Sequence, residues 1–301
     1  MLIGILANFC DCLTDVKYNF NPAIGREKEL EELMITILTP GKSALLIGKP
    51  GVGKTAILEG LAYNIQKDNV PKVLKDFVIY KTSAATLNNN CVYNGMLEKN
   101  VLDLFNALEY RKDTILFIDE IHTLVGTGKS ISHDTLDIAN IIKPFITSEN
   151  IHLIGATTDY EYEYYIKGDP AFSRRFSNII IEEPKDYTLE NILYYTIEKY
   201  SKMYNIKVDK NLALNASKSI SKYTRVEYRN PDSIGYNPDL SINIIAKAFG
   251  YARLYDKHSI EESDFIRAYN NMDRVNGNFH IFNSSKFSSN IIDAKFRFKH
   301  S

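Results

Sequence analysis

A chain of 301 residues with 45% hydrophobic side chains is long enough for about two domains and apolar enough to give each a core. Its charge is balanced, 36 Lys and Arg against 37 Asp and Glu, so no bulk field draws it to nucleic acid or to an anionic membrane. Three cysteines, Cys10, Cys12 and Cys91, cannot build a disulfide framework, and the Cys10/Cys12 pair lacks the second pair a zinc site needs, so reduced cytosolic thiols are expected.

In chain order, Leu2, Ile5, Leu6, Phe9, Leu13 and Val16 recur at helical spacing and predict an amphipathic helix that packs on the body. This run carries Asp11, lacks a basic flank and is too short to span a bilayer, so it reads neither as a targeting nor as a membrane segment. Asn21-Pro22-Ala23-Ile24-Gly25 breaks the chain before a helix from Glu27 to about Leu38, and the turn is a candidate lining for a base pocket.

Ser43 to Ile47 is a short apolar run that feeds Gly48, four further residues and then Gly53-Lys54-Thr55, which is the P-loop template. In such a loop the backbone N–H groups of residues such as Pro50's neighbours Gly51, Val52 and Gly53 wrap nucleotide phosphates, with the glycines allowing the tight turn. Lys54 would reach the β/γ-phosphates, the Thr55 hydroxyl would ligate Mg²⁺, and the helix to about Lys67 would point its positive N-terminus at the anion. Binding of ATP or GTP follows.

Phe77 to Lys81 reads as a second strand. The polar loop Asn88 to Gly95 then places one aromatic, Tyr93, ahead of a helix with Leu97, Val101, Leu104, Phe105 and Leu108 on one face. Thr114 to Asp119 is a buried strand ending in Asp119-Glu120, and an apolar strand that ends in acids is the Walker B pattern: the Asp holds Mg²⁺ and the Glu polarises the attacking water. Gly126-Thr127-Gly128-Lys129 opens a loop before a helix from about Asp134 to Ile146. Ile151 to Ile154 is another strand with Gly155-Ala156-Thr157-Thr158 at its end, and Arg174-Arg175 precede a last strand from Asn178 to Ile181. From Tyr187 onward the cues are helical, at Thr188–Tyr204, Asp209–Tyr223, Asp239–Tyr255 and Glu261–Asn270, and after about Asn276 an Asn/Ser-rich, then basic, tail is expected to be loosely held.

The order and spacing of these motifs resemble the first ATPase module of the ClpA/ClpB/ClpC group of AAA+ unfoldases, from about Leu6 to Arg253. The resemblance rests on Asn-Pro-Ala-Ile-Gly-Arg-Glu (21 to 27), the P-loop stretch 46 to 62, Ile-Leu-Phe-Ile-Asp-Glu-Ile-His-Thr-Leu-Val-Gly (115 to 126), Gly-Ala-Thr-Thr (155 to 158) and Arg-Arg-Phe (174 to 176). It implies Ile24 and Gly25 at the adenine, Lys54 and Thr55 on phosphate and Mg²⁺, Asp119 on Mg²⁺ through water, and Glu120 as catalytic base. It also implies Thr158 as the sensor beside the γ-phosphate and Arg174 and Arg175 as arginine fingers reaching a neighbouring subunit's site. Tyr93 matches the pore-loop aromatic that grips polypeptide, and Thr127 to His133 matches the second pore loop. Asn237-Pro238-Asp239 falls where the family's lid meets the nucleotide.

Against the family's pattern, the sequence is expected to start where the ATPase module starts, without the N-terminal recruiting domain, and to carry neither the inserted coiled coil nor a second module after the lid. Val92 stands before the Tyr where a Lys is usual, Asn94 and Met96 follow where an Arg and an acid are usual, and Leu240 replaces a Lys.

The expectation is therefore an α/β P-loop AAA+ domain over 1–184, with a parallel five-stranded sheet in the order 5-1-4-3-2, a helical lid over 185–275 and a tail over 276–301. The resemblance implies an ATP hydrolase using ATP and Mg²⁺ that forms a homo-oligomeric, hexameric ring and remodels polypeptide clients, alone or with a separate second Clp ATPase chain or a protease. A cytoplasmic setting, or an organelle stroma or matrix, goes with it. The rivals are an AAA+ protein acting on nucleic-acid complexes, as clamp loaders do, and a regulatory ATP-binding ring with slow turnover.

Overall fold

A computed structural model describes residues 2–88, 95–125, 138–224 and 235–273. The chain divides into two compact units: Met1–Lys49 with Gly53–Glu182, and Pro50–Val52 with the chain from Glu183 onward.

The first unit is built on six strands, β1 (Asp11–Cys12), β2 (Ser43–Ile47), β3 (Val78–Ser83), β4 (Thr114–Asp119), β5 (His152–Thr157) and β6 (Phe176–Ile180), in the order β1-β3-β4-β5-β2-β6. From β2 to β6 all pairings are parallel, and counted from β2 their order is the expected 5-1-4-3-2. β2 is buried at every residue and β4 at all but Asp119, as central parallel strands covered on both faces must be.

The sheet is mixed rather than all parallel, because β1 adds an antiparallel edge through Asp11↔Lys81 and Cys12↔Tyr80. This edge also ends the first helix early. α1 spans Leu2–Phe9, its last carbonyl accepts from Thr82 Oγ1 at 2.6 Å, and the chain then leaves the helix to pair with β3. The apolar period beyond Phe9 therefore lies outside the helix: Leu13 is buried in a 3₁₀ turn, while Val16 is 44% exposed.

Among the described residues, the remaining α-helices of this unit are α2 (Glu27–Ile37), α3 (Lys54–Gln66), α4 (Ala84–Asn88), α5 (Met96–Glu109), α6 (His122–Val125), α7 (Ile138–Ile146), α8 (Asp159–Glu161) and α9 (Pro170–Ser173). α5 buries Val101, Leu104, Phe105 and Leu108, the apolar stripe of a helix with one wet face. Phe105 stacks on Phe145 at a centroid distance of 5.1 Å. Each such side chain contributes about 1.5–3 kcal/mol when fully buried.

The second unit contains α10 (Asp186–Tyr204), α11 (Lys210–Tyr223), α12 (Asp239–Leu254) and α13 (Glu262–Asp273). Leu189, Leu193, Ile197, Ala216, Ile220, Ile245, Phe249 and Phe265 form its core. Within it, the Asn237 side chain donates to Thr224 O at 2.9 Å and accepts from Ser241 Oγ at 2.6 Å, closing the approach to α12 against the end of α11. Among the described residues, no helix is long and apolar enough to cross a membrane.

Tyr93, the loop from Thr127 to His133 and the tail from 276 to 301 lie outside the described residues.

Candidate functional site

The parallel order brings the carboxyl ends of β2, β5 and β4 side by side, the edge where open α/β sheets gather their ligands. At the end of β2 the chain turns through Gly51 (φ 74°) and Gly53 (φ 105°), both in the left-handed region that a side chain disfavours, and Gly53 caps α3. Lys54, the first residue of α3, folds back so that its Nζ donates to Gly48 O at 2.7 Å and Lys49 O at 3.1 Å. Burial lowers its pKa, against the pull of Asp119, Glu161, Asp159 and Glu120. The ammonium is the cationic donor a phosphate needs, while the carboxylates around it would repel a bare polyanion and call for a cation bound with it. In the second unit's share of this loop, Pro50 and Gly51 are exposed and Val52 is buried.

Thr55 follows Lys54, and its Oγ1 lies 3.4 Å from Asp119 Oδ2. The same carboxylate oxygen lies 3.3 Å from Lys81 Nζ on β3. A hydroxyl and a carboxylate are hard oxygen donors, which fit Mg²⁺. Among the described residues no cluster of three or more His, Cys, Asp or Glu could hold a metal by itself.

Glu120 leaves the strand with φ 52°, a left-handed conformation that costs a non-glycine residue about 1–2 kcal/mol. Local bonds offset this. Its N–H donates to Asp119 Oδ1 at 3.2 Å, and its carbonyl accepts from Thr123 N at 2.9 Å and Thr123 Oγ1 at 2.7 Å. The turn leaves Glu120 exposed at the strand end.

At the end of β5, Thr158 is the N-cap of α8: its Oγ1 accepts from Glu161 N at 3.3 Å, while Glu161 Oε2 accepts from Thr158 N at 3.0 Å. Oε2 also lies 3.1 Å from His122 Nδ1 and 3.4 Å from Thr157 Oγ1. Burial pushes the Glu161 carboxyl up, but the bonds from Thr158 and Thr157 and the neighbouring His122 outweigh it, and the net shift is downward. Lys49 pairs with Asp159 at 3.0 Å beside this cap.

The turn before α2 is held close to α3 by a missing side chain. A Cβ on Gly60 would stand 2.2 Å from Ala23 Cβ, so only glycine lets Ala23 pack there. Ile24 is half-buried and Gly25 (φ 67°) is exposed on that turn. Arg26 is buried and bonded to Glu29 at 2.7 Å and to Glu182 O at 2.8 Å. Arg174 follows α9 and is exposed, whereas Arg175 is half-buried and its carbonyl accepts from Ser43 N at 3.3 Å.

The structure thus gathers Lys54, Thr55, Asp119, Glu120 and Thr158 at one edge of the sheet. It adds Lys81, His122 and Glu161, which sequence reasoning missed. Glu161 carried a readable signal, the Thr-x-x-Glu spacing of a capping box from Thr158. Lys81 carried none, being a charged residue in a strand at an alternating position.

A model of the ATPase family associated with various cellular activities (AAA) matches residues 44–183. The chaperone protein ClpB of Clostridium perfringens is 35% identical over 253 residues, which is 83% of this chain and 28% of that protein. ClpB of Aquifex aeolicus is 37% identical over 213 residues, 70% of this chain and 21% of that protein. Among solved structures, the S. cerevisiae Hsp104–ADP complex matches with a TM-score of 0.75 at 27% identity, over 97% of this chain and 49% of that one. A closed-state Hsp104 with ATPγS and FITC casein matches with a TM-score of 0.74 at 28% identity, over 91% and 45%. The chain spans about three tenths of the first of these chaperones and just under half of each solved chain. With a P-loop, a Walker B strand and this sheet order in a Clp-like sequence, residues 44–183 form an ATPase domain of the AAA family, and the chain is similar over most of its length to a module of the Clp type.

Proposed function

We propose that the chain hydrolyses ATP and couples hydrolysis to the remodelling of polypeptides, as a Clp-type chaperone module working in a ring. The observation that carries the chemistry is the approach of Thr55 Oγ1 to Asp119 Oδ2, 3.4 Å apart, between Lys54 and Glu120. In this reading the backbone from Pro50 to Gly53 and the Lys54 ammonium hold the phosphates, while Ile24 and Gly25 flank the base. Thr55 and Asp119 hold Mg²⁺, which when bound neutralises charge developing on the transferred phosphoryl group. Glu120 takes the proton of the attacking water, a contribution of about 10²- to 10⁴-fold in rate. Thr158, its hydroxyl acceptor side occupied by Glu161 N, keeps its proton to donate toward the γ-phosphate.

The remaining parts of the reading rest on the family. The Hsp104 structure with casein supports polypeptide clients. The hexameric ring, Arg174 and Arg175 completing a neighbour's site and Tyr93 gripping the client follow from the resemblance of the motifs to the Clp group. Residues 185–275 then act as the lid. A separate second Clp chain or a protease is the partner class, and the cytoplasm, or an organelle stroma or matrix, is the setting we assign. Phosphate release from ATP tests the core of this: the parent should turn over, Lys54→Ala should lose nucleotide binding, and Glu120→Gln should bind ATP without hydrolysing it. Turnover by Glu120→Gln at the parent rate would refute the assignment of the base. Unfolding of a tagged model protein, compared between the parent and Tyr93→Ala, tests the polypeptide part.

A further inference from the structure

One oxygen of Asp119 has two claimants. Oδ1 is taken by the Glu120 N–H at 3.2 Å, so Oδ2 is the face turned to Thr55, at 3.4 Å, where the proposed Mg²⁺ belongs. Lys81 Nζ sits 3.3 Å from that same Oδ2. The placement follows from the sheet. Lys81 pairs in register with Phe117, two residues before Asp119 on β4, so the Lys81 and Asp119 side chains lie diagonally on one face. The lysine stem crosses the Phe117 ring, with Nζ 5.9 Å from its centroid, and delivers the ammonium to the strand end.

We propose that Lys81 is an internal counter-ion that occupies the Mg²⁺-binding oxygen of Asp119 and sets the Mg²⁺ concentration at which the site loads. The inference rests on Asp119 being the metal-holding carboxylate. An ammonium and a divalent cation on one oxygen repel each other, so loading is an exchange in which Lys81 withdraws on its flexible stem. Lys81 and Asp119 side chains are 29% and 26% exposed, so solvent screens the pair only in part. Exposed pairs of this kind set the lower bound of the effect, and partly buried ones exceed it, which translates to a shift of roughly two- to tenfold in the Mg²⁺ midpoint. An ion pair that served only the fold would change melting and leave that midpoint where it was.

The test is equilibrium binding of a fluorescent ATP analogue to the full chain, titrated with Mg²⁺ from EDTA, for the parent, Lys81→Met and Lys81→Arg. Lys81→Met, of similar length and no charge, should load at a roughly two- to tenfold lower Mg²⁺ concentration, and Lys81→Arg should stay near the parent. Thermal melting establishes that each variant is folded, and Lys81→Gln replaces the methionine variant if that one is not. A Mg²⁺-dependent parent whose midpoint is unmoved or raised in the neutral variant overturns the counter-ion. A parent whose nucleotide binding ignores Mg²⁺ overturns the assignment of Asp119 itself, and this proposal with it.

Discussion

His122 Nδ1 stands 3.1 Å from Glu161 Oε2, and that same oxygen accepts the Thr158 N–H at 3.0 Å. His122 lies two residues past Glu120 and Thr158 directly follows β5, so one carboxylate ties the turn that carries the proposed base to the residue proposed to face the γ-phosphate. Tyr165 stacks on the His122 ring at 5.8 Å and closes the far side. Glu161→Ala should therefore lower kcat by about 10- to 100-fold, the scale of a small misplacement of catalytic groups, with KM for ATP little changed. Loss of the capping box should cost about 1 kcal/mol of stability as well. Glu161→Gln, which keeps an acceptor oxygen, should recover much of kcat. Steady-state kinetics beside a melt separate the two effects, and a variant that lost stability with an unchanged kcat would reduce Glu161 to a helix cap.

Gly60 offers a sign test. A glycine in a helix interior is ordinarily improved by alanine, by about 0.5–1 kcal/mol. Here the new Cβ would meet Ala23 Cβ at 2.2 Å and Ala23 N at 3.2 Å, and backbone cannot step aside cheaply. Overpacking costs about 1–3 kcal/mol, so the clash wins and Gly60→Ala should be destabilising. It should also weaken ATP binding by displacing Ile24 and Gly25. Urea midpoints and a nucleotide titration check both, and a stabilised variant would contradict the packing.

His152 gives a pH dependence with a definite direction. Its Nδ1 is 3.1 Å from Ile37 O and its Nε2 3.1 Å from Lys112 O, beside the Phe77 ring at 5.0 Å. Burial lowers its pKa, and the two carbonyls recover only part of that. The folded pKa is then below the unfolded value of 6.5, so the neutral ring is the one the fold favours. Its contribution is complete above that value and is lost as pH falls through the folded pKa. The parent should lose stability from pH 7.5 to 5.5, and His152→Gln should lose less over the same interval. Equal losses in urea melts at the two pH values would refute this.

Much of the fold was legible because its signals are local. Thr114 to Asp119 reads as a strand since Ile115 to Ile118 form an unbroken apolar run, and Lys54 is fixed by glycine spacing alone. The order of the parallel strands came from the resemblance, since pairing of distant strands leaves no local trace. β1 was not legible: two residues, one of them Asp11, hold no periodicity, and the apolar spacing through Val16 favoured a longer helix. What ended α1 was an edge strand found only in three dimensions. Lys81 and His122 were missed for the same reason, because a partner across a strand or a turn is set by register. Gly155 and Thr157, expected beyond a strand ending at Ile154, lie inside β5, where Gly155 makes room for Ile121 and Leu45, each 3.0 Å from its would-be Cβ.

Arg174 and Arg175 differ in surroundings, and that difference sorts their proposed roles. Arg174 is exposed after α9, as a residue reaching into another subunit must be, whereas Arg175 is half-buried with its carbonyl bonded to the start of β2. An arginine supplied across an interface is worth roughly 10³-fold or more in rate. Arg174→Ala homo-oligomers should therefore be nearly inactive yet bind ATP as the parent does, since the residue belongs to a neighbour's site. Arg175→Ala should lower stability as well, because it removes a half-buried side chain. Mixing Lys54→Ala subunits, which keep Arg174 but lack a working phosphate cradle, with Arg174→Ala subunits, which have the reverse, should restore ATPase activity. The measurement is phosphate release against mixing ratio, with co-assembly established by size and by a tag on one partner. Proven co-assembly without any recovery would mean that Arg174 acts within its own chain or not at all.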